Sequence, residues 1–217
     1  MKTRDRIIET SLRLFNEEGE AHTTTLDIAD ELDISPGNLY YHFKGKDQII
    51  AELFEQFALA LTQTLNAPLE KPLHSSKDQI EDNWYYLYVV LEELYQYRFL
   101  YHNLDDLLRR YPKLLKEFRR LVGHKRAALR AIITALLDES VMTLPASQLD
   151  ALVENMALQL TYWLSYERLL YDDSDAQRCI HQGVLQLITM IAPYLGDEQL
   201  DFYRQCESIY EAMLAGT

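Results

Sequence analysis

No run of eighteen apolar residues occurs in the 217-residue chain, so no segment is expected to cross a bilayer as a helix. The opening Met1-Lys2-Thr3-Arg4-Asp5-Arg6 is charged and lacks the apolar stretch of a secretory signal. Two cysteines, Cys179 and Cys206, are too few and too far apart for a disulfide framework or a zinc site. No His-x-x-x-His or close His/Cys cluster offers metal ligands, and His102 and His124 are expected to be hydrogen-bonded or exposed. No Ser/His/Asp, Cys/His or paired-carboxylate arrangement stands at usable spacing, which argues against a helical enzyme and leaves no catalytic residue to nominate. Strand-like alternation, internal repeats and low-complexity tracts are also missing. These absences point to a cytoplasmic globular protein with no membrane segment, metal or cofactor.

Positive charge is scarce as well. The chain carries 21 Lys and Arg against 34 Asp and Glu, for a net charge of −13. Residues 1–50 have six basic and ten acidic side chains, net −4, which leaves −9 for the remainder. Between Ile34 and Lys46, however, there are two lysines and no acid. That window is locally positive, and screening confines each charge to roughly 10 Å. Apolar residues make up 48% of the chain, enough to build a core rather than stay disordered.

What remains is helical periodicity punctuated by the six prolines and most of the seven glycines. The spacing predicts a first helix over about Thr3 to Glu18, stopped at Gly19, a short one from Thr25 to Leu32, and a third from Pro36 to about Phe43. A fourth starts near Lys46 and is expected to end at Pro68 and Pro72. Further helices are predicted over Lys77–Tyr97, Leu100–Arg110, Lys113–Asp138, Pro145–Tyr171, Asp175–Ala192 and Asp197–Leu214. The fold class is therefore all-α with nine or ten helices.

The stretch Thr23 to Phe43 carries the chemistry. Thr24 and Asp27 fit a capping box opening the second helix. Asp33-Ile34 forms a turn, Ser35 is a good N-cap, and Pro36 sits where its missing N–H costs nothing. The third helix is too short to stand alone. Leu39 and Phe43, four residues apart, can plug it into a core and leave Gly37, Asn38, Tyr41 and His42 outward. A short capped helix presenting polar and aromatic side chains suits the DNA major groove. On periodicity alone, Tyr40, Tyr41 and His42 serve equally well as ordinary aromatics at a helix corner.

The order of residues resembles the DNA-binding domain of the TetR family of bacterial regulators. Over residues 4–54 it shows Leu14-Phe15 and Gly19, Thr24-Thr25, Ile28-Ala29, then Ile34-Ser35-Pro36-Gly37-Asn38-Leu39-Tyr40-Tyr41-His42-Phe43 and Lys44-x-Lys46-Asp47. The resemblance implies a three-helix helix-turn-helix domain at 1–46 and a helical ligand-binding and dimerisation domain at 47–217. It implies base reading by Gly37 and Asn38, and groove or phosphate contacts by Thr25, Ser35, Tyr40, Tyr41 and His42. Lys46, at the start of the fourth helix, would be a further phosphate contact. Lys2, Arg4 and Arg6 either reach DNA or form a basic tip without contacts. The implied partners are double-stranded operator DNA, a second copy of the chain, and a small apolar or amphipathic effector.

Trp84, Tyr88, Phe99, Tyr101, Tyr162, Trp163 and Tyr166 are candidates to wall the effector pocket, with plain core packing as the alternative for each. Pro145–Tyr171 and Asp175–Ala192 are expected to form the dimer bundle. Gly183 there would allow close approach of a symmetry mate, or pack internally. The implied function is a repressor released from a palindromic operator by its ligand. An activator or dual regulator of the same fold is the alternative: Met1-Lys2-Thr3-Arg4-Asp5-Arg6-Ile7 and Tyr97-Arg98-Phe99-Leu100 resemble a subgroup regulating polyhydroxyalkanoate metabolism, which would imply an acyl-type metabolite.

Overall fold

The computed structural model describes residues 1–70, 79–171 and 175–197, and then 200, 201, 203, 204, 207 and 208. Among the described residues there are ten α-helices and no strand, and a single bridge joins Met142 to Leu195. The helices are α1 Thr3–Leu14, α2 Thr25–Glu31, α3 Pro36–His42, α4 Lys46–Glu70 and α5 Gln79–Gln96, then α6 Phe99–His102, α7 Leu104–Arg110, α8 Leu114–Asp138, α9 Leu149–Leu170 and α10 Ala176–Ile191. A π-helical turn, Phe15–Gly19, extends α1 to the expected stop, where Gly19 takes φ 90°. The last expected helix, Asp197–Leu214, lies largely outside the described residues, as do Pro72 and Cys206.

Two expected boundaries moved. Pro68 does not end α4 but sits inside it, and the helix continues to Glu70. So close to a C-terminus, proline removes one hydrogen bond while few residues remain to be disturbed. The expected helix from Leu100 to Arg110 is two helices, broken where Asn103 leaves helical geometry at φ −143° and ψ 59°. The Asn103 carbonyl then accepts the N–H of Leu107 at 2.9 Å and restarts the ladder.

The chain forms two compact units: residues 1–60 with 97–118, and residues 61–96 with 119–217. Both α4 and α8 contribute residues to each unit. The core of the first unit gathers Ile7, Phe15, Ile28, Leu39, Ile50 and Leu53 from α1 to α4, all buried. Phe57 adds ring contacts to Tyr97 at 5.3 Å and Tyr101 at 5.9 Å.

In the second unit α10 packs against both α5 and α9. Gly183 allows that approach, because a Cβ there would stand 2.7 Å from Trp163 Nε1 and 2.9 Å from Leu91 Cδ1. Of the two roles open to Gly183, the internal one holds. No helix among the described residues is long and apolar enough to cross a membrane.

Candidate nucleic-acid interface

Local chemistry builds the reading head one element at a time. Thr24 Oγ1 accepts the Asp27 N–H at 3.2 Å, while the Asp27 carboxylate accepts the Thr24 N–H at 2.7 Å, so α2 opens with a complete capping box. Hydrogen bonds from the Thr24 backbone and hydroxyl hold the Asp27 carboxyl below the usual carboxylate range. Asp33 then turns the chain at φ 52°, a left-handed conformation that Asp tolerates better than most residues. Ser35 Oγ accepts the Asn38 N–H at 3.2 Å, and Pro36 occupies the first turn of α3.

Leu39 and Phe43 are buried, as the pattern requires, and pin the seven-residue α3 to the core. The opposite side faces outward. Gly37 and Asn38 are exposed, Tyr41 is 78% exposed, and His42 is half-buried with its ring 5.1 Å from that of Tyr41. Tyr40 is also exposed, and its hydroxyl lies 3.1 Å from Thr25 Oγ1, so two O–H groups sit side by side where α2 begins. The structure thus brings Thr25, Ser35, Gly37, Asn38, Tyr40 and Tyr41 to one surface, with His42 at its edge.

Lys46 departs from expectation. Its Nζ donates to the backbone carbonyls of Glu20 at 2.7 Å and Thr23 at 3.0 Å, and pairs with Glu20 Oε1 at 2.9 Å. An ammonium has three N–H donors, and all three are used inside the protein. Lys46 therefore clamps the turn before α2 to the start of α4. Arg4 is likewise held, paired with both oxygens of Glu52 and placed 4.9 Å over the Phe43 ring.

Glu20 is the residue that sequence reasoning missed. It stands close to Glu17 and Glu18 in the sequence, yet only 4% of it is exposed. Its carboxylate takes Lys46, Arg110 of α7 and the Tyr111 O–H at 2.6 Å. Burial alone would raise the Glu20 carboxyl, but the hydrogen bonds from Tyr111 and Lys46 outweigh it and the net displacement is downward. Burial, and then the same carboxylate, push the Tyr111 phenol up.

Of the seven aromatics expected around one pocket, Tyr162, Trp163 and Tyr166 of α9 line one groove, and the other four lie elsewhere. Phe99 and Tyr101 belong to the core of the first unit: Phe99 stacks 5.4 Å from Phe15, and Tyr101 is buried 5.5 Å from Phe118. Trp163 donates Nε1–H to the Cys179 carbonyl at 2.9 Å and is buried against Gly183. Tyr162 and Tyr166 stand on the outer side of α9 with Leu158, along an open groove of about 800 Å³ that Met190 and Tyr194 complete. On α5, Trp84 and Tyr88 are half-buried, Tyr88 lying 5.1 Å from the His181 ring.

A second cavity, about 540 Å³, lies within the second unit between Pro68 and Leu69 of α4, Asn83 of α5, and Ala127, Ile132 and Ala135 of α8. None of the aromatics singled out lines it. Its walls mix aliphatic side chains with Asn83, Arg130, Thr134, Asp138 and Glu139, a combination common on any helix.

Comparison with known proteins agrees with this geometry. Residues 7–53 match the family model of bacterial regulatory proteins of the tetR type, and residues 56–203 match the TetR model described as bacterial transcriptional repressor. A TetR-family transcriptional regulator from Marinobacter aquaeolei VT8 is 33% identical, covers 98% of each chain and superposes with a TM-score of 0.81. The probable acrEF/envCD operon repressor of Escherichia coli K12 is 23% identical over 84% of this chain and 93% of its own. SmeT, the repressor of the Stenotrophomonas maltophilia multidrug efflux pump SmeDEF, shares the fold at 18% identity, with a TM-score of 0.57 over 91% and 92% of the two chains.

Proposed function

Because this chain belongs to the TetR family of bacterial transcriptional regulators, we propose that it is a repressor that binds operator DNA as a homodimer and releases it when a small molecule binds. The observation that carries the DNA reading is α3: anchored by Leu39 and Phe43, it turns Gly37, Asn38 and Tyr41 outward on a surface shared with the Thr25 and Tyr40 hydroxyls. Inserted in the major groove, Asn38 would read a base edge while the hydroxyls hold the backbone. The names of relatives such as the acrEF/envCD operon repressor support repression over activation. The functional boundary is placed near residue 46, with the reader before it and sensing and dimerisation after it.

The second copy is proposed to cover the α9–α10 groove. Leu158 and Tyr166 are more than half exposed there, an apolar stripe that a partner helix pair would bury. The effector site is proposed at the cavity between α4, α5 and α8, whose 540 Å³ suits a small apolar or amphipathic molecule. Because α4 and α8 contribute residues to both units, a shift in either helix could change the separation of two α3 helices from the roughly 34–36 Å of successive major grooves. A coupling of about 1–3 kcal/mol would weaken binding about 5–150-fold.

Selection from a pool of random duplexes tests the DNA reading. The protein should enrich a two-fold symmetric site, and Asn38→Ala should broaden the preferred sequence at one position in each half while other positions hold. Failure to enrich any site, or an unchanged preference in Asn38→Ala, would remove the assigned role.

A further inference from the structure

Resting on that DNA reading and deepening it, we infer that each head holds the phosphate backbone chiefly with uncharged donors. Of its six basic side chains, Lys2, Arg6 and Lys44 alone have no carboxylate partner and can neutralise phosphate, so binding loses less to salt than six cations would imply.

The six basic residues of positions 1–50 are all described, and three are paired with carboxylates. Arg4 is paired with Glu52. Arg13 is paired with Glu17 at 2.8 Å and with Glu31. Lys46 is enclosed by Glu20 and two carbonyls. Arg6 is exposed and spends one of its five N–H groups on the Leu32 carbonyl, 3.4 Å away just past α2, with no carboxylate to neutralise it. Lys2 is exposed before α1. Lys44 is exposed just after α3 and spends one N–H on the Tyr40 carbonyl at 3.2 Å, keeping two for solvent or phosphate.

A cation already paired with a carboxylate can displace the counterions condensed on DNA only by leaving that carboxylate. Moving it to phosphate would strip Glu52, Glu31 or Glu20 of its partner. The donors left at the surface are neutral: the Thr25, Tyr40 and Tyr41 hydroxyls and the Asn38 amide. Repulsion from a chain of net charge −13 adds a contribution that salt weakens, which flattens the dependence further.

Three cations per head and two heads give about six released counterions, a slope of log affinity on log salt near −5.4, and about a 2,000-fold loss between 50 and 200 mM. Engagement of all six on both heads would give a slope near −11 and a loss above about 10⁶-fold.

The experiment is fluorescence anisotropy of a labelled duplex, enriched by the protein itself from a random pool, across a potassium chloride series. The expected slope is about −4 to −6. Lys44→Gln should lower its magnitude by about 1.8, since each head then neutralises one phosphate fewer. Lys46→Gln and Arg4→Gln should leave the slope as it is while lowering the thermal midpoint. A slope steeper than about −7 overturns the inference, as does a Lys46→Gln or Arg4→Gln variant whose slope falls like that of Lys44→Gln. A steep slope that flattens in Lys113→Gln or Lys116→Gln also overturns it, by moving the cationic contact to the start of α8. No binding to any duplex at low salt sinks the DNA reading itself, so the two failures are distinguishable.

Discussion

Replacing Gly183 by alanine should destabilise the protein by about 2 kcal/mol, although alanine is the better helix former. The new methyl group would start 2.7 Å from Trp163 Nε1 and 2.9 Å from both Trp163 Cδ1 and Leu91 Cδ1. The leucine methyl can swing aside. The indole cannot move freely, because its N–H is committed to the Cys179 carbonyl at 2.9 Å. Overpacking of this kind costs about 1–3 kcal/mol. Lengthening the indole hydrogen bond adds about 1 kcal/mol. Better helix propensity returns about 1 kcal/mol.

Gly123 on α8 supplies the control, since a Cβ there meets nothing within 4 Å. Gly123→Ala should gain about 0.5–1 kcal/mol from propensity alone. Both glycines and both tryptophans, Trp84 and Trp163, lie in the second unit, so tryptophan fluorescence during urea unfolding reads the same body in both variants. The two midpoints should move in opposite directions. A Gly183→Ala midpoint that rises with that of Gly123→Ala would refute the interior packing and return Gly183 to a role between subunits.

Other expectations address the clamp, the core and the dimer. Glu20→Gln keeps the shape but leaves Lys46 without its carboxylate and Arg110 with Asp106 alone. The cost should be about 2–3 kcal/mol, below the ~3–5 of a fully buried pair because both cations keep some solvent. Since the folded Glu20 carboxyl lies below its usual value, its contribution is complete above the ordinary carboxylate range and fades as pH falls through the folded value. Acid titration of stability should therefore be shallower in Glu20→Gln than in the parent.

Lys125 is buried, donates to the Leu160 carbonyl at 2.9 Å, and is pushed down by desolvation to about 7. Stability should thus rise with pH from about 7 to the ordinary lysine value, where the unfolded chain also loses the proton. Lys125→Met should remove that rise and gain about 1–4 kcal/mol near neutrality, read by urea titration at several pH values. Leu158→Glu should convert the dimer to monomer in sedimentation experiments without shifting the helical circular dichroism signal, and an unchanged dimer would move the interface elsewhere.

Short-range chemistry was legible in the sequence, and long-range partnership was not. The capping box at Thr24, the Ser35-Pro36 opening of α3 and the inward pair Leu39 and Phe43 are each fixed by residues within four positions, so periodicity and capping rules place them. Lys46 and Glu20 are twenty-six residues apart, and nothing local to either says that one will neutralise the other. Phe99 and Tyr101 carried a different ambiguity. An aromatic side chain looks the same in a sequence whether it fills a core or borders a cavity, and only Phe15, Phe57 and Phe118 closing round this pair decides it. The cavity near Asn83 gave no signal because alanine and isoleucine on a helix are what any core contains.

The two sides of α3 answer to different constraints. Leu39 and Phe43 hold the fold, while Gly37, Asn38 and Tyr41 touch almost nothing in their own protein; even a methyl group added at Gly37 would meet only Ser35 Oγ at 3.9 Å. Substitutions on such a face usually change stability by no more than about 0.5 kcal/mol. A lineage carrying this head can therefore drift from one target sequence to another through single changes at these positions, each intermediate remaining as well folded as its parent.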